Sequence, residues 1–139
     1  MIILDTNVVS VMMQPDLAPE AMTWLSSQET PRLWTTTVTY HEIRFGLLIL
    51  PMGRRRQALE RAFALLLNQG FRSRIFDFDQ AAAEQSARLA AQHRSQGLGF
   101  EHRDLQIAGI ASAKGASLAT RNARHFEHAG IPLINPWSA

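Results

Sequence analysis

Residues 1–13 read MIILDTNVVSVMM, and one of them looks out of place. Ile2, Ile3 and Leu4 form a short apolar run, and Val8, Val9, Met12 and Met13 take it up again. Asp5 stands between the two. The first run reads as a short buried strand over Ile2–Leu4, and the second as a helix over Thr6–Met13. A buried strand that feeds straight into a helix is the opening unit of an α/β fold. Asp5 therefore closes a buried strand with a carboxylate.

The same alternation continues along the chain. Helices are expected over Glu20–Ser27, Val38–Leu50, Arg54–Asn68, Gln80–Arg94 and Asp104–Lys114, with a short one over Ala123–His128. Strands are expected over Arg32–Thr36, Arg74–Phe78, Ser117–Ala119 and Pro132–Ile134. Pro51 and Gly53 stop the third helix, Gly70 ends the fourth, and Gly115 lies just past the end of Asp104–Lys114. Short buried strands between helices imply a central parallel sheet flanked by helices. In such sheets ligands bind beyond the carboxyl ends of the strands, and Asp5 sits at one of those ends.

The chain has 139 residues, the length of one domain, so residues 1–139 are expected to share a single core. No repeat or low-complexity linker interrupts it. The absence of cysteine excludes disulfides and thiolate metal sites. The N-terminus lacks the basic and apolar segments of a signal peptide, and no stretch approaches the roughly 18 apolar residues of a membrane span. A cytoplasmic protein is expected. The net charge is +2, yet the sequence pI is about 9.9. Thirteen arginines against one lysine, Lys114, carry the basic side. Arginine offers a planar fork suited to phosphate, although genomic composition produces the same bias.

Three acids invite a joint reading, although each has a local role available. Asp5 has the position of a helix N-cap. Thr39-x-x-Glu42 has the spacing of a capping box. Asp104 opens a helix, where the dipole favours an acid. Asp79 reads as the cap of the Ala-rich helix. Yet Asp5, Glu42 and Asp104 all border the same edge of the expected sheet. Converging carboxylates repel by about 4 kcal/mol per pair at 4 Å and an effective dielectric near 20. Such a cluster needs a compensating cation or raised pKa values. All-oxygen ligands suit Mg²⁺ or Mn²⁺ rather than zinc. Neutralising Asp5 is then expected to leave the metal-free fold equally stable or more so.

Four segments together resemble the PIN-domain family: ILDTNVVS, TVTYHEIRFGL, DLQIAGIASAKGASLATRN and FEHAGIPLINPW. Within it the chain is most similar to VapC-type toxins of toxin–antitoxin pairs, the FitB-like branch included. The resemblance implies a metal-dependent endoribonuclease whose Asp5, Glu42 and Asp104 coordinate Mg²⁺ or Mn²⁺. It implies that Asn7 and Thr120 help to order the site. It also implies a homodimer, an RNA substrate, a cognate antitoxin seated in a groove, and DNA contact only through that antitoxin. The chain departs from the pattern at Asn122, where many relatives carry a fourth acid, and His125 stands where relatives often have Asp. Asn122 still offers a carbonyl oxygen to metal or water.

Arg54, Arg55 and Arg56 form a basic cluster suited either to substrate phosphate or to solubility and partner contact. Arg121, beside Asn122, is a second candidate for phosphate. His125-x-x-His128 lacks a third ligand at a zinc spacing. His41 reads as surface or structural. Ile43, Leu47, Leu48, Leu50, Met52, Leu65, Leu66 and Leu67 are more aliphatic surface than one domain needs, either a packed helical hairpin or in part a partner groove. The sequence admits both a nuclease and, alternatively, a weak or inactive domain that acts as a binding module in a DNA-bound toxin–antitoxin regulatory complex. A phosphotransferase with Asp5 as nucleophile is disfavoured, since haloacid-dehalogenase chemistry wants Asp at position 7, which is Asn.

Overall fold

The computed structural model describes residues 1–139. In chain order the elements are β1 (Ile2–Leu4), α1 (Thr6–Met13), α2 (Pro19–Ser26), β2 (Leu33–Thr36), α3 (Thr37–Leu48) and α4 (Arg54–Leu65). They continue with β3 (Ile75–Phe76), α5 (Gln80–Ser95), α6 (His102–Lys114), β4 (Ser117–Ala119) and β5 (Leu133–Ile134). The five strands form one sheet in the order β3-β2-β1-β4-β5, and every pairing is parallel. This is the α/β architecture the sequence implies, a short central sheet flanked by helices.

The chain builds the sheet outward from β1, first to β2 and β3, then across to β4 and β5. The winding therefore reverses between β1 and β4, and the crevice beyond their carboxyl ends is the natural binding place. Leu4 pairs with Ala119, so Asp5 and Thr120 follow side by side. Backbone bonds hold both: Asp5 donates its N–H to Ala119 O at 3.0 Å, and Thr120 donates to Ile134 O at 2.9 Å.

Alternation along β1 divides the core into two. Ile2 and Leu4 face Val8, Val9, Ile43, Leu47, Phe63 and Phe71. Ile3 faces the other way, against Phe76, Ile107, Ile110, Leu118 and Phe126. Each buried aliphatic or Phe side chain contributes roughly 1.5–3 kcal/mol over its exposed state. On the second face α5 and α6 lie unusually close because residue 109 is glycine. A Cβ there would stand 2.5 Å from Ala82 O and 2.9 Å from Ser86 Cβ.

Several local expectations need correction. Thr36, not Thr39, caps α3, its Oγ1 accepting from Thr39 N–H at 3.1 Å. The helix thus begins at Thr37 and Glu42 lies beyond its first turn, with no backbone end to serve. The α4 helix does not run to Asn68. It loosens into a π turn over Leu66–Phe71, which carries Phe71, 1% exposed, into the core. Gly70 therefore does not end it. The chain reverses at Arg72 and Ser73, both with positive φ, and Arg74 ties the turn down by donating to Gly70 O and Leu33 O. β3 shrinks to two residues because Phe78 N–H goes to Thr37 Oγ1 rather than to a strand. Ala123–His128 shortens to a 3-10 turn over Ala123–Phe126. Asp79 does cap α5, accepting from Ala82 N–H at 2.9 Å.

Of the surplus aliphatic residues, Ile43 and Leu47 are core. Leu48, Met52 and Leu65 are exposed, and Phe45 and Ile49 join them on the surface of α3 and the turn after it. No helix is long and apolar enough to cross a membrane.

Candidate active site

Beyond the β1 and β4 ends, a polar cleft of about 280 Å³ is lined by Thr6, Asn7, Glu42, Glu101, Arg103, Asp104, Asn122 and His125. Each acid arrives on a different element. Asp5 ends β1, Glu42 projects from α3, and Asp104 lies in the first turn of α6. Asp5 is 1% exposed and Asp104 is 6% exposed, so neither is an ordinary surface cap.

The centre of the cluster is Arg103. Its Nε donates to Glu42 Oε2 at 2.7 Å and its Nη1 to Asp104 Oδ1 at 2.7 Å. Its Nη2 donates to Asp5 Oδ1, and to Thr6 Oγ1 at 2.9 Å. One guanidinium therefore gathers three carboxylates, the multidentate role for which arginine is suited. Burial alone would lower the Arg103 pKa. The charge of Asp5, its hydrogen bond, and those of Glu42 and Asp104 outweigh burial and push it above its usual range. Arg103 is thus the compensating cation that the convergence of acids demands. Three formal negative charges against one positive leave the site acidic.

Asp5 serves as cap and cluster member together. Its Oδ1 accepts from Thr6 N–H at 2.8 Å, and its Oδ2 accepts from Thr120 Oγ1 at 2.8 Å. Thr120 is fully buried, and its Oγ1 also accepts from Asn122 N–H at 3.0 Å. Asn7 Oδ1 accepts from Arg121 N–H at 3.1 Å. These bonds fix the backbone after β4 relative to α1. The Asn122 side chain lies exposed in the cleft. His125 Nδ1 stands 3.5 Å from Asp104 Oδ2.

The arginines singled out in the sequence lie elsewhere. Arg54 and Arg55 are exposed at the start of α4, outside the cleft. Arg56 is occupied: it donates to Glu60 at 2.8 Å and to the carbonyls of Leu48, the last residue of α3, and Leu50 in the turn after it. That hydrogen bond holds the Glu60 carboxyl below its usual range. The Arg121 guanidinium lies over the Trp137 ring, 5.1 Å from its centroid. The sequence reading missed Arg103, Thr6 and Glu101. The signal for Arg103 was its place directly before Asp104, in a site already known to need a cation.

Three carboxylates with amide and hydroxyl neighbours form an all-oxygen donor set that fits a hard dication. As arranged, however, no group of three or more His, Cys, Asp or Glu side chains closes tightly enough to hold a metal ion. The cause is Arg103, whose fork holds the carboxylates around itself rather than around a point.

A family model described as PIN domain matches residues 2–131. The plasmid stability protein StbB of Pseudomonas syringae pv. tomato is 37% identical over 139 residues, 100% of both chains. The VapC ribonuclease Y4jK of Sinorhizobium fredii is 34% identical, over 99% of this chain and 98% of its own. A chain in the structure of FitAB bound to the IR36 DNA fragment superposes with a TM-score of 0.91 at 28% identity, covering 99% of this chain and 96% of that one.

Proposed function

We propose that this chain, which belongs to the PIN-domain family, is a VapC-type toxin: a divalent-metal-dependent endoribonuclease silenced by a cognate antitoxin. The observation that carries the reading is the gathering of Asp5, Glu42 and Asp104 from three elements at the switch point of a parallel sheet. A purely structural role would not require three carboxylates to share one cation. The VapC ribonuclease name of one relative and the DNA-bound FitAB assembly of another support it.

Asp5, Glu42 and Asp104 would hold Mg²⁺ or Mn²⁺, with Asn122 adding its amide oxygen. The ion would supply charge neutralisation at the phosphate and a more acidic water. The rest is the work of the chain itself. Thr120 and the Thr6 N–H aim the Asp5 carboxylate, and Asn7 ties α1 to the backbone that carries Asn122. Arg103 balances the acids in the metal-free protein. Attack by water requires no covalent enzyme intermediate. Arg54 and Arg55 are free to meet RNA phosphates further along the strand, whereas Arg56 is committed to Glu60. Phe45, Leu48, Ile49, Met52 and Leu65 offer apolar surface for an antitoxin or a second copy of the chain, with DNA reached through the antitoxin. Such a complex would work in the cytoplasm.

The test uses antitoxin-free protein and end-labelled RNA with Mn²⁺, Mg²⁺ or chelator. Cleavage that needs the metal and vanishes in Asp5→Asn supports the reading; no cleavage at any metal concentration sinks it. End-mapping of cellular RNA after induction of this chain alone would then name the substrate.

One observation favours a second reading. Arg103 fills the centre of the cluster, and the Asn122 amide lines the cleft where the family resemblance implies a fourth acid. A silent nuclease domain acting only as a binding module within an antitoxin–DNA complex would tolerate both. Mn²⁺ titration by calorimetry separates the two, since a silent module needs no site.

A further inference from the structure

Beside the acidic cleft lies a second recess of about 410 Å³. Glu101, Asp104 and His125 line both, so the two recesses share a wall. The far walls are flat rings. Phe100 and His93 meet edge to face with centroids 6.0 Å apart, and His93 and His128 do so at 6.3 Å. Arg124 also lines it, and Phe100 is 37% exposed.

His93 marks the recess as a binding place. It is 4% exposed, and its Nδ1 lies 2.8 Å from Leu89 O. A carbonyl oxygen only accepts, so the Nδ1–H tautomer satisfies this bond, and in that tautomer Nε2 is an acceptor. Nε2 has no partner within the protein, and the only fully enclosed side-chain atom without one is Thr35 Oγ1. Nε2 therefore opens onto the recess, an acceptor set among aromatic walls. The imidazoles do not close into a metal site, for no group of three or more His, Cys, Asp or Glu could hold an ion. A planar ligand with π faces and an N–H edge matches these walls.

We infer that this recess receives one unstacked nucleobase of single-stranded RNA, next to the phosphodiester that would be cut beside Asp5, Glu42 and Asp104. The inference rests on the nuclease reading above and adds where base preference arises. Phe100 supplies a stacking face, His93 Nε2 accepts from the base edge, and Arg124 faces the adjoining phosphate. Single-stranded RNA is commonly read by splaying a base onto such rings. All four bases carry an N–H, so fit within the recess decides among them. On this reading any base preference would run through His93 and Phe100.

The experiment uses the full chain with Phe100→Leu and His93→Gln. Cut sites are sequenced from a randomised single-stranded RNA digested with Mn²⁺. In parallel, fluorescent A, C, G and U pentaribonucleotides are titrated in chelator, where nothing is cut. Wild type should show a base bias at one position flanking the cut. Phe100→Leu should bind the favoured pentamer about five- to tenfold more weakly and flatten the bias, with an unchanged melting temperature. His93→Gln should change which base is favoured. If that variant fails to fold, the exposed Phe100 position decides alone. An unbiased wild type, or the same bias and relative affinities in a folded variant, overturns the inference and leaves the nuclease reading standing. Loss of co-expressed antitoxin with RNA preference intact would assign the recess to a protein partner instead. A wild type that neither cuts nor binds any RNA overturns both readings.

Discussion

Asp5 and Asp79 occupy the same local setting. Each follows a strand region, each has extended backbone, and each caps a helix with one carboxylate oxygen. Asp79 is exposed and accepts from Ala82 N–H, the third residue of its helix. Asp5 is buried and reaches only the first N–H of α1. Its remaining capacity goes to Arg103 and Thr120, nearly a hundred residues or more away in sequence. The difference comes from the sheet. β3 is an edge strand, whereas β1 is central and faces the switch point. A cap that satisfies its own helix needs no further explanation, while one that sends its acceptors across the fold belongs to a site.

The largest effect is expected at Asp5. Asp5→Asn should reduce RNA cleavage by at least about 100-fold, because it removes a metal-holding charge without changing shape. Its effect on stability reverses the expectation drawn from repulsion alone. Arg103 already pairs with Asp5 in the metal-free protein, so losing that buried partner should cost about 1.5–3 kcal/mol in urea unfolding. Cleavage at the wild-type rate with the same metal dependence would reduce Asp5 to a second Asp79.

Arg103→Met tests the cation itself. The metal-free protein should lose about 2–3 kcal/mol, since three acids then face one another uncompensated. Calorimetry should show Mn²⁺ bound at least about tenfold more tightly, as the ion no longer competes with a fixed positive charge. Equal or weaker Mn²⁺ binding would mean that Arg103 and the metal do not share the carboxylates.

Asn122 offers a smaller contrast. Asn122→Ala should raise the Mn²⁺ concentration for half-maximal cleavage about tenfold, and Asn122→Asp should lower it while retaining activity. Superimposable curves for wild type and Asn122→Ala would leave the three acids working alone. The smallest effect belongs to Asp79. Asp79→Ala should cost about 1 kcal/mol of stability and leave cleavage unchanged. A loss of activity there would erase the distinction between the two aspartates.

Much of this protein is determined by sequence alone, because the relevant physics is local. The run Ile2–Leu4 is too short and too apolar to be anything but a buried strand beside a helix, and its repetition at Ser117–Ala119 implies the parallel sheet. Asp79 follows from capping chemistry within four residues. The acids Asp5 and Asp104 stand out because each borders a strand end or helix start at one edge, whereas Glu42 lies past the first turn of α3 and its place at that edge came from the fold. Tertiary structure decided what depends on residues far apart in the chain. It chose Thr36 over Thr39 as the cap, since only the end of β2 sets that backbone angle. It loosened the end of α4 so that Phe71 could reach the core. It also set Arg103 among Asp5, Glu42 and Asp104, and joined His93 of α5 to Phe100 and His128 around one recess. Charge balance at a convergent cluster, like the shape of a cavity, is a property of the folded arrangement, and no spacing along the chain encodes it.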